Sequence, residues 1–176
     1  MILRRGRIRK KQVARTGGPG QFMQLRVFQA EEAEELVALF RDTVRRINCR
    51  DYGTEQILAW APDVMDVDRW RQRFLDHHTL VAVLPGQIVG FGNLAETGHV
   101  DCFYVHADHQ AKGIGRALLT ALEEHAWQRQ IPRLFTEASI TARPFFERLG
   151  FTTIQQQTVE SRGVLFVNFR MEKYLR

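Results

Sequence analysis

The sequence predicts one α/β domain built on a mixed sheet. Three observations carry this. The chain has 176 residues, which suits a single domain of roughly 100–200 residues and leaves little room for two. Its apolar residues switch between helical and strand spacing, in the order β-α-α-α-β-β-β-α-β-α-β-β. No internal repeat or interdomain linker interrupts that order.

Each element has a local cause. Leu25, Val27 and Phe28 suggest a short strand that begins right after Met23. Leu36, Val37, Leu39, Phe40, Val44 and Ile47 recur at helical spacing between Glu31 and Ile47. Thr54, followed by Glu55 and Gln56, opens a short helix that must end before Pro62. Asp66 or Asp68 caps a third helix running to about His77. Thr79 to Leu84 and Ile88 to Leu94 read as strands joined by a Pro85-Gly86 turn. A further strand spans about His99 to Val105, and a long amphipathic helix runs from Gly113 to Arg129. Arg133 to Ala138 is a strand, and Thr141 to Leu149 is a helix closed by Gly150. Phe151 to Glu160 and Val164 to Lys173 form a final hairpin across Ser161-Arg162-Gly163.

Composition removes several function classes. At 44% hydrophobic and 26% charged residues the chain is neither disordered nor fibrous. No run approaches the ~18 apolar residues of a membrane span. The basic N-terminus lacks the apolar segment of a secretory signal; its Arg-rich, acid-free character also fits a transit peptide, with no other support. Cys49 and Cys102 are too few and too far apart for a disulfide framework or a four-Cys zinc site. They are expected to be reduced thiols of a cytoplasmic protein. No metal site is expected either, because the adjacent His77 and His78 point apart and have no third ligand.

The net charge of +5 suggests nucleic acid until its distribution is read. Arg4, Arg5, Arg7, Arg9, Lys10, Lys11 and Arg15 fall within the first 22 residues, which hold no acid. The rest carries 18 Lys and Arg against 20 Asp and Glu. Residues 1–22 are therefore expected to be a basic, flexible extension, with the domain occupying residues 23–176. A start-site extension is the simpler reading, with the true start at Met23; an arm for nucleic acid or an acidic surface is the rival. Nucleic acid is disfavoured, because no aromatic residue is interleaved for base stacking.

The stretch VDCFYVHADHQAKGIGRALLTAL, positions 100–122, carries the chemistry. A strand runs into a polar loop, then Gln110-Ala111-Lys112-Gly113-Ile114-Gly115, then a helix. The first turn of a helix offers unpaired N–H groups and the positive end of the dipole, a natural phosphate seat. Gly113 and Gly115 lack a Cβ, so a pyrophosphate can come close to the backbone, and Lys112 and Arg116 add positive charge. A P-loop is excluded, since Gly115 is followed by Arg116 rather than Lys and a hydroxyl. A dinucleotide fingerprint is weak: Leu118 stands where a small residue is needed, although Glu137 sits where the ribose acid would be.

The pattern Gln-x-x-Gly-x-Gly after such a strand resembles the coenzyme A pyrophosphate loop of the GNAT N-acetyltransferase family. The block ASITARPFFERLGF at 138–151 is similar to the family's late helix, at the expected distance. The resemblance covers residues 23 to 176. With INCRDYGTEQILAWAP and QQQTVESRGVLFVNFRM, it leans toward the YafP-like bacterial branch. It implies a single-domain fold with a mostly antiparallel, splayed sheet flanked by helices, and acetyl-CoA as co-substrate without a metal. It also implies transfer of an acetyl group to a primary amine of a small molecule or peptide, and a possible homodimer. The alternative is a non-catalytic acyl-CoA-binding or regulatory module.

By the same resemblance, backbone N–H groups of Phe103, Tyr104 and Val105 would hold the pantetheine and the acetyl carbonyl, and would stabilise a developing oxyanion. Gln110 to Arg116, that is Gln110, Ala111, Lys112, Gly113, Ile114, Gly115 and Arg116, would cradle the pyrophosphate, with Ser139 and Phe146 also on the cofactor. A protonated amine has no lone pair, so a base is needed. His99 and Asp101 are the candidates; two apart on one strand, they share a face with Phe103 and Val105. An imidazole works as a base near neutrality, and Asp101 either orients it or acts itself. Their bland readings are a solvated strand end for His99 and a backbone hydrogen bond at the splay for Asp101. His106 and His109 are read as solvated loop residues. Many family members have a Tyr acid where this chain has Phe146, and Asn where it has Ser139. The leaving-group acid is thus open, with Tyr104, Tyr52 and water as donors. The acceptor pocket is expected at Tyr52, Trp60 and Asn168, with Cys49, Asp51 and Glu160 near it; Trp60 also reads as a core anchor before Ala61-Pro62.

Overall fold

The computed structural model describes residues 12–15 and 22–175. Two antiparallel sheets form the centre. The first has β1 (Gln12–Arg15), β2 (Phe22–Val27), β3 (His78–Leu84), β4 (Gln87–Leu94) and β5 (Val100–Val105) in that spatial order. The second has β6 (Arg133–Ser139), β8 (Val164–Tyr174) and β7 (Thr152–Ser161), with β8 in the middle. Among the described residues five α-helices pack on the sheets: α1 (Ala33–Arg46), α2 (Thr54–Trp60), α3 (Val67–Leu75), α4 (Ile114–Gln128) and α5 (Arg143–Arg148). No helix among the described residues is long and apolar enough to cross a membrane.

Every predicted element is present within a few residues. Asp66 is the cap of α3, its carboxylate accepting from Arg69 N–H at 2.9 Å. One difference lies in the expected extension. Residues 1–11 and 16–21 are outside the described residues, but Gln12–Arg15 form β1 and pair with Phe22–Leu25 of β2. Backbone pairing with an open strand edge needs no apolar side chain, so composition does not announce it.

The two faces of the first sheet carry separate cores. On one, α4 contributes Leu118, Leu119 and Leu122. On the other, α1 contributes Leu36, Val37 and Phe40, and α3 contributes Phe74. α4 lies close on β4: a Cβ at Gly90 would lie 3.1 Å from the Ile114 side chain and 3.2 Å from that of Leu118.

β5 and β6 diverge. They share only a parallel bridge between His99 and Phe135, with Phe135 N–H donating to Gly98 O at 3.0 Å and Thr136 Oγ1 to Val100 O at 2.8 Å. Beyond that point the strands part, and the backbone groups along the open side of β5 face a gap. This splay positions the site.

Asp101 lies on the other face of β5 from the one expected. Leu94 pairs with Val100, but Gly92 pairs with Phe103, so β5 carries one extra residue, a β-bulge. Asn93 Oδ1 accepts from the Cys102 N–H there, at 2.7 Å. Asp101 and Cys102 both turn toward α3, whereas Phe103 and Val105 pack toward α4. Asp101 therefore does not share a face with Phe103 and Val105.

Candidate active site

Two cavities flank the splay. The larger, about 1180 Å³, lies among α2, α3 and the β7–β8 hairpin. The smaller, about 630 Å³, runs from β5 past the α4 N-terminus to α5. They meet at Trp60, Asp101, Tyr104, Glu137 and Ser139, which line both.

The smaller cavity collects most of the expected cofactor residues. Phe103, Tyr104, Val105, Gln110, Ala111, Gly113, Ile114, Gly115, Arg116, Ser139 and Phe146 all line it; Lys112 does not. The Lys112 ammonium instead donates to Asp108 O at 2.9 Å. Ala111 (φ 58°) and Gly113 (φ 82°) are both left-handed, and Gly113 caps α4. Alternating backbone hand turns successive N–H groups into an anion-binding hollow. A Cβ at Gly113 would meet nothing within 4 Å, so the dihedral angle, not crowding, selects glycine. Gly115 is the reverse case: its Cβ would lie 2.9 Å from the Phe145 ring. The α4 first turn has no acid, and Arg116 beside it is exposed. The hollow thus fits a pyrophosphate, and Phe103, Phe145, Phe146 and Leu149 offer apolar walls for a pantetheine arm.

α1 braces this loop. Thr43 Oγ1 donates to Val105 O at 3.1 Å, where Gln110 Nε2 also donates at 2.6 Å. Arg46 forms an ion pair with Asp108. His109 is only half-exposed, and its Nδ1 is buried without a partner. Burial, followed by the Lys112 charge, pushes its pKa down. His106 accepts from Asp108 N–H at 3.2 Å. Both loop histidines are therefore structured, not solvated as expected.

Strand alternation decides which amides face the gap. His106 N–H donates to Val89 O at 2.9 Å, so with Phe91 opposite Tyr104, Tyr104 turns its N–H toward β4. Phe103 and Val105 turn theirs toward the splay. Tyr104 thus leaves the expected set of three cofactor-facing amides. Its side chain packs edge-on against Phe40, and burial pushes its phenol pKa up.

Asp101 and His99 have separate partners. Arg73 of α3 grips Asp101 with two hydrogen bonds, 2.6 and 2.5 Å. Burial raises the Asp101 carboxyl, but the Arg73 hydrogen bond and charge outweigh it and leave the pKa below the usual range. A carboxylate so held is a poor proton acceptor. His99 Nε2–H donates to Glu137 at 2.6 Å, and its ring stacks on Phe135. His99 lines neither cavity, whereas Glu137 lines both.

In the larger cavity, Tyr52, Trp60 and Asn168 all line the wall. The Tyr52 hydroxyl is saturated, donating to Val167 O at 2.7 Å and accepting from Ile140 N–H at 2.9 Å. It ties the second sheet to α2, and burial pushes its pKa up. Tyr52, Trp60 and Phe166 form an aromatic cluster. Asn168 Oδ1 is buried without a donor. Phe146 is 3% exposed in the core, and Ser139 Oγ accepts from Ala142 N–H at 3.0 Å. Arg73, Arg46 and the place of Glu137 at the junction of the two cavities escape sequence reasoning, since each depends on partners far along the chain. His77 also escapes it: its Nδ1–H donates to Arg73 O at 2.7 Å and it lines the larger cavity. His78 instead stacks on His125.

Residues 48–173 match the acetyltransferase (GNAT) domain family. The chain is 36% identical over 149 residues to the uncharacterised N-acetyltransferase YafP of Escherichia coli K12, covering 85% of this chain and 94% of that one. A GCN5-related N-acetyltransferase structure from Rhodopseudomonas palustris superposes with a TM-score of 0.83 at 34% identity, covering 86% and 94% of the two chains. The PaiA N-acetyltransferase of Thermoplasma acidophilum, solved with coenzyme A, has a TM-score of 0.72 at 19% identity, with 87% and 99% covered, and supports the fold.

Proposed function

The chain belongs to the GNAT family of acetyltransferases, and on that premise we propose that it transfers the acetyl group of acetyl-CoA directly to a primary amine seated in the larger cavity. One observation carries the reading: the two cavities have separate walls and share Trp60, Asp101, Tyr104, Glu137 and Ser139 at the β5–β6 splay. A donor in one and an acceptor in the other meet there, which is what direct transfer requires.

Acetyl-CoA supplies an activated acyl group as a thioester. The protein's part is positioning and charge. The left-handed pair Ala111 and Gly113, with the first turn of α4, holds the pyrophosphate. The Phe103 and Val105 N–H groups hold the thioester oxygen and stabilise charge that develops on it. The Glu137–His99 pair takes the proton that the amine must lose, because Glu137 is the carboxylate open to the junction and His99 backs it. Asp101, locked by Arg73, contributes fixed negative charge beside the amine rather than basicity. Tyr104 lines both cavities, and its hydroxyl is the donor placed to hydrogen-bond the departing sulfur.

Release of free thiol from acetyl-CoA, followed across an amine panel, tests this. Amine-dependent release that drops in Glu137→Gln is expected. Acetyl-CoA binding with no release above background from any amine would make the protein a binding module and overturn the proposal.

A further inference from the structure

We infer that the acceptor is a small amine that also carries an acidic group, selected by Arg69 and Arg162 at the outer end of the larger cavity. The inference rests on reading that cavity as the acceptor site.

The wall formed by α3 is polarised. Asp66, Arg69, Arg73 and Asp76 recur on one stripe of the helix and line the cavity. Arg73 is committed to Asp101 at the inner end. Arg69 lies one turn away, about 6 Å along the axis. It is exposed, and no carboxylate lies within ion-pair reach of it among the described residues. Arg162, at the β7–β8 turn, lines the same cavity and spends one N–H on Ala59 O. Its remaining donors are open to a ligand.

The nearby acids keep their charge, but among the described residues neither Asp66 nor Asp76 is in an ion pair with Arg69 or Arg162. Asp66 is engaged as the α3 cap. Asp76 accepts from Gln72 Nε2 at 2.7 Å. The inner end has the opposite need. Asn168 Oδ1 is buried and lacks a donor, and Glu137 is a carboxylate. An amine satisfies both. Trp60, Trp70 and Phe166 line the stretch between the ends, an apolar wall suited to methylenes. A guanidinium is the side chain best shaped to take a carboxylate or phosphate with paired hydrogen bonds. The ligand chemistry that fits is one molecule with an amine for the inner end, an acid for the outer end and methylenes between them.

Matched probes test this: ε-aminocaproate, its neutral amide, and cadaverine, each assayed by thiol release with acetyl-CoA. The acid is expected to exceed the amide by about tenfold in kcat/KM, chiefly through KM. That ratio should collapse toward one in Arg69→Gln, an exposed position with little folding risk, and in Arg162→Ala. Equal turnover of acid and amide, or preference for cadaverine, overturns the inference and leaves acetyl transfer standing. If none of the three is acetylated, calorimetry on the CoA-loaded protein decides. Binding of the acid alone, lost in Arg69→Gln, upholds the inference while transferase chemistry on these amines fails. No acid-selective binding overturns it.

Discussion

Replacing Arg73 by Met removes the partner of a carboxylate that has no other cation on it among the ion pairs of the described residues. The Asp101 side chain is 13% exposed and that of Arg73 45%. Removing one partner of a fully buried pair costs roughly 3–5 kcal/mol, whereas an exposed pair contributes at most about 1. The half-exposed guanidinium places this case between them, at about 2 kcal/mol. For a domain of this size that lowers Tm by about 4–8 °C at neutral pH. The loss must depend on pH. In the native protein the Asp101 pKa is depressed, so its stabilisation is full above the unfolded value of about 3.9 and disappears as pH falls through the folded value. Without Arg73, burial is opposed only by the weaker charges of His99 and His77 and pushes the pKa up, so the penalty is full at neutral pH and fades in acid. Melts of the two proteins should therefore diverge at pH 7 and converge toward pH 4. Arg73→Met combined with Asp101→Asn should lose less than Arg73→Met alone. An equal Tm loss at both pH values, or a double variant as unstable as the single, would refute the charge argument and leave packing on Trp70 as the cause.

Other substitutions read the remaining parts of the site. Gly115→Val puts atoms within 3 Å of the Phe145 ring and should weaken acetyl-CoA binding at least about tenfold by calorimetry, with the far-UV spectrum retained. Tyr52→Phe strands the Ile140 N–H and should cost about 1–3 kcal/mol in urea denaturation. Glu137→Gln should lower kcat more than KM and alter the pH–rate profile, while Asp101→Asn should leave the shape of that profile in place; the reverse result would make Asp101 the base.

Much of the site was readable because its signals are local. Gly113 and Gly115 stand where a left-handed angle and a close ring exclude other residues. Asp66, Pro62 and Gly150 mark helix ends by their own chemistry. The rest depends on contacts across the chain. The bulge at Asp101 is held by Asn93 on the neighbouring strand, so strand periodicity alone put Asp101 on the wrong face. The partners Arg73, Glu137 and Arg46 lie 28, 38 and 62 residues from the groups they engage. Ala111 adopts a positive φ with no glycine to announce it. β1 is set by backbone pairing, which leaves no side-chain pattern.

In the proposed complex the β5–β6 splay holds acetyl-CoA with its pyrophosphate on the α4 N-terminus. Amide chemical shifts of the labelled protein, followed during titration with acetyl-CoA, test it most directly. The amides of Phe103, Val105 and residues 111–116 should move together and saturate with one affinity, while those of Tyr104 and the β7 edge move less. Shifts absent from residues 111–116, or concentrated on the β7–β8 hairpin, would contradict the account.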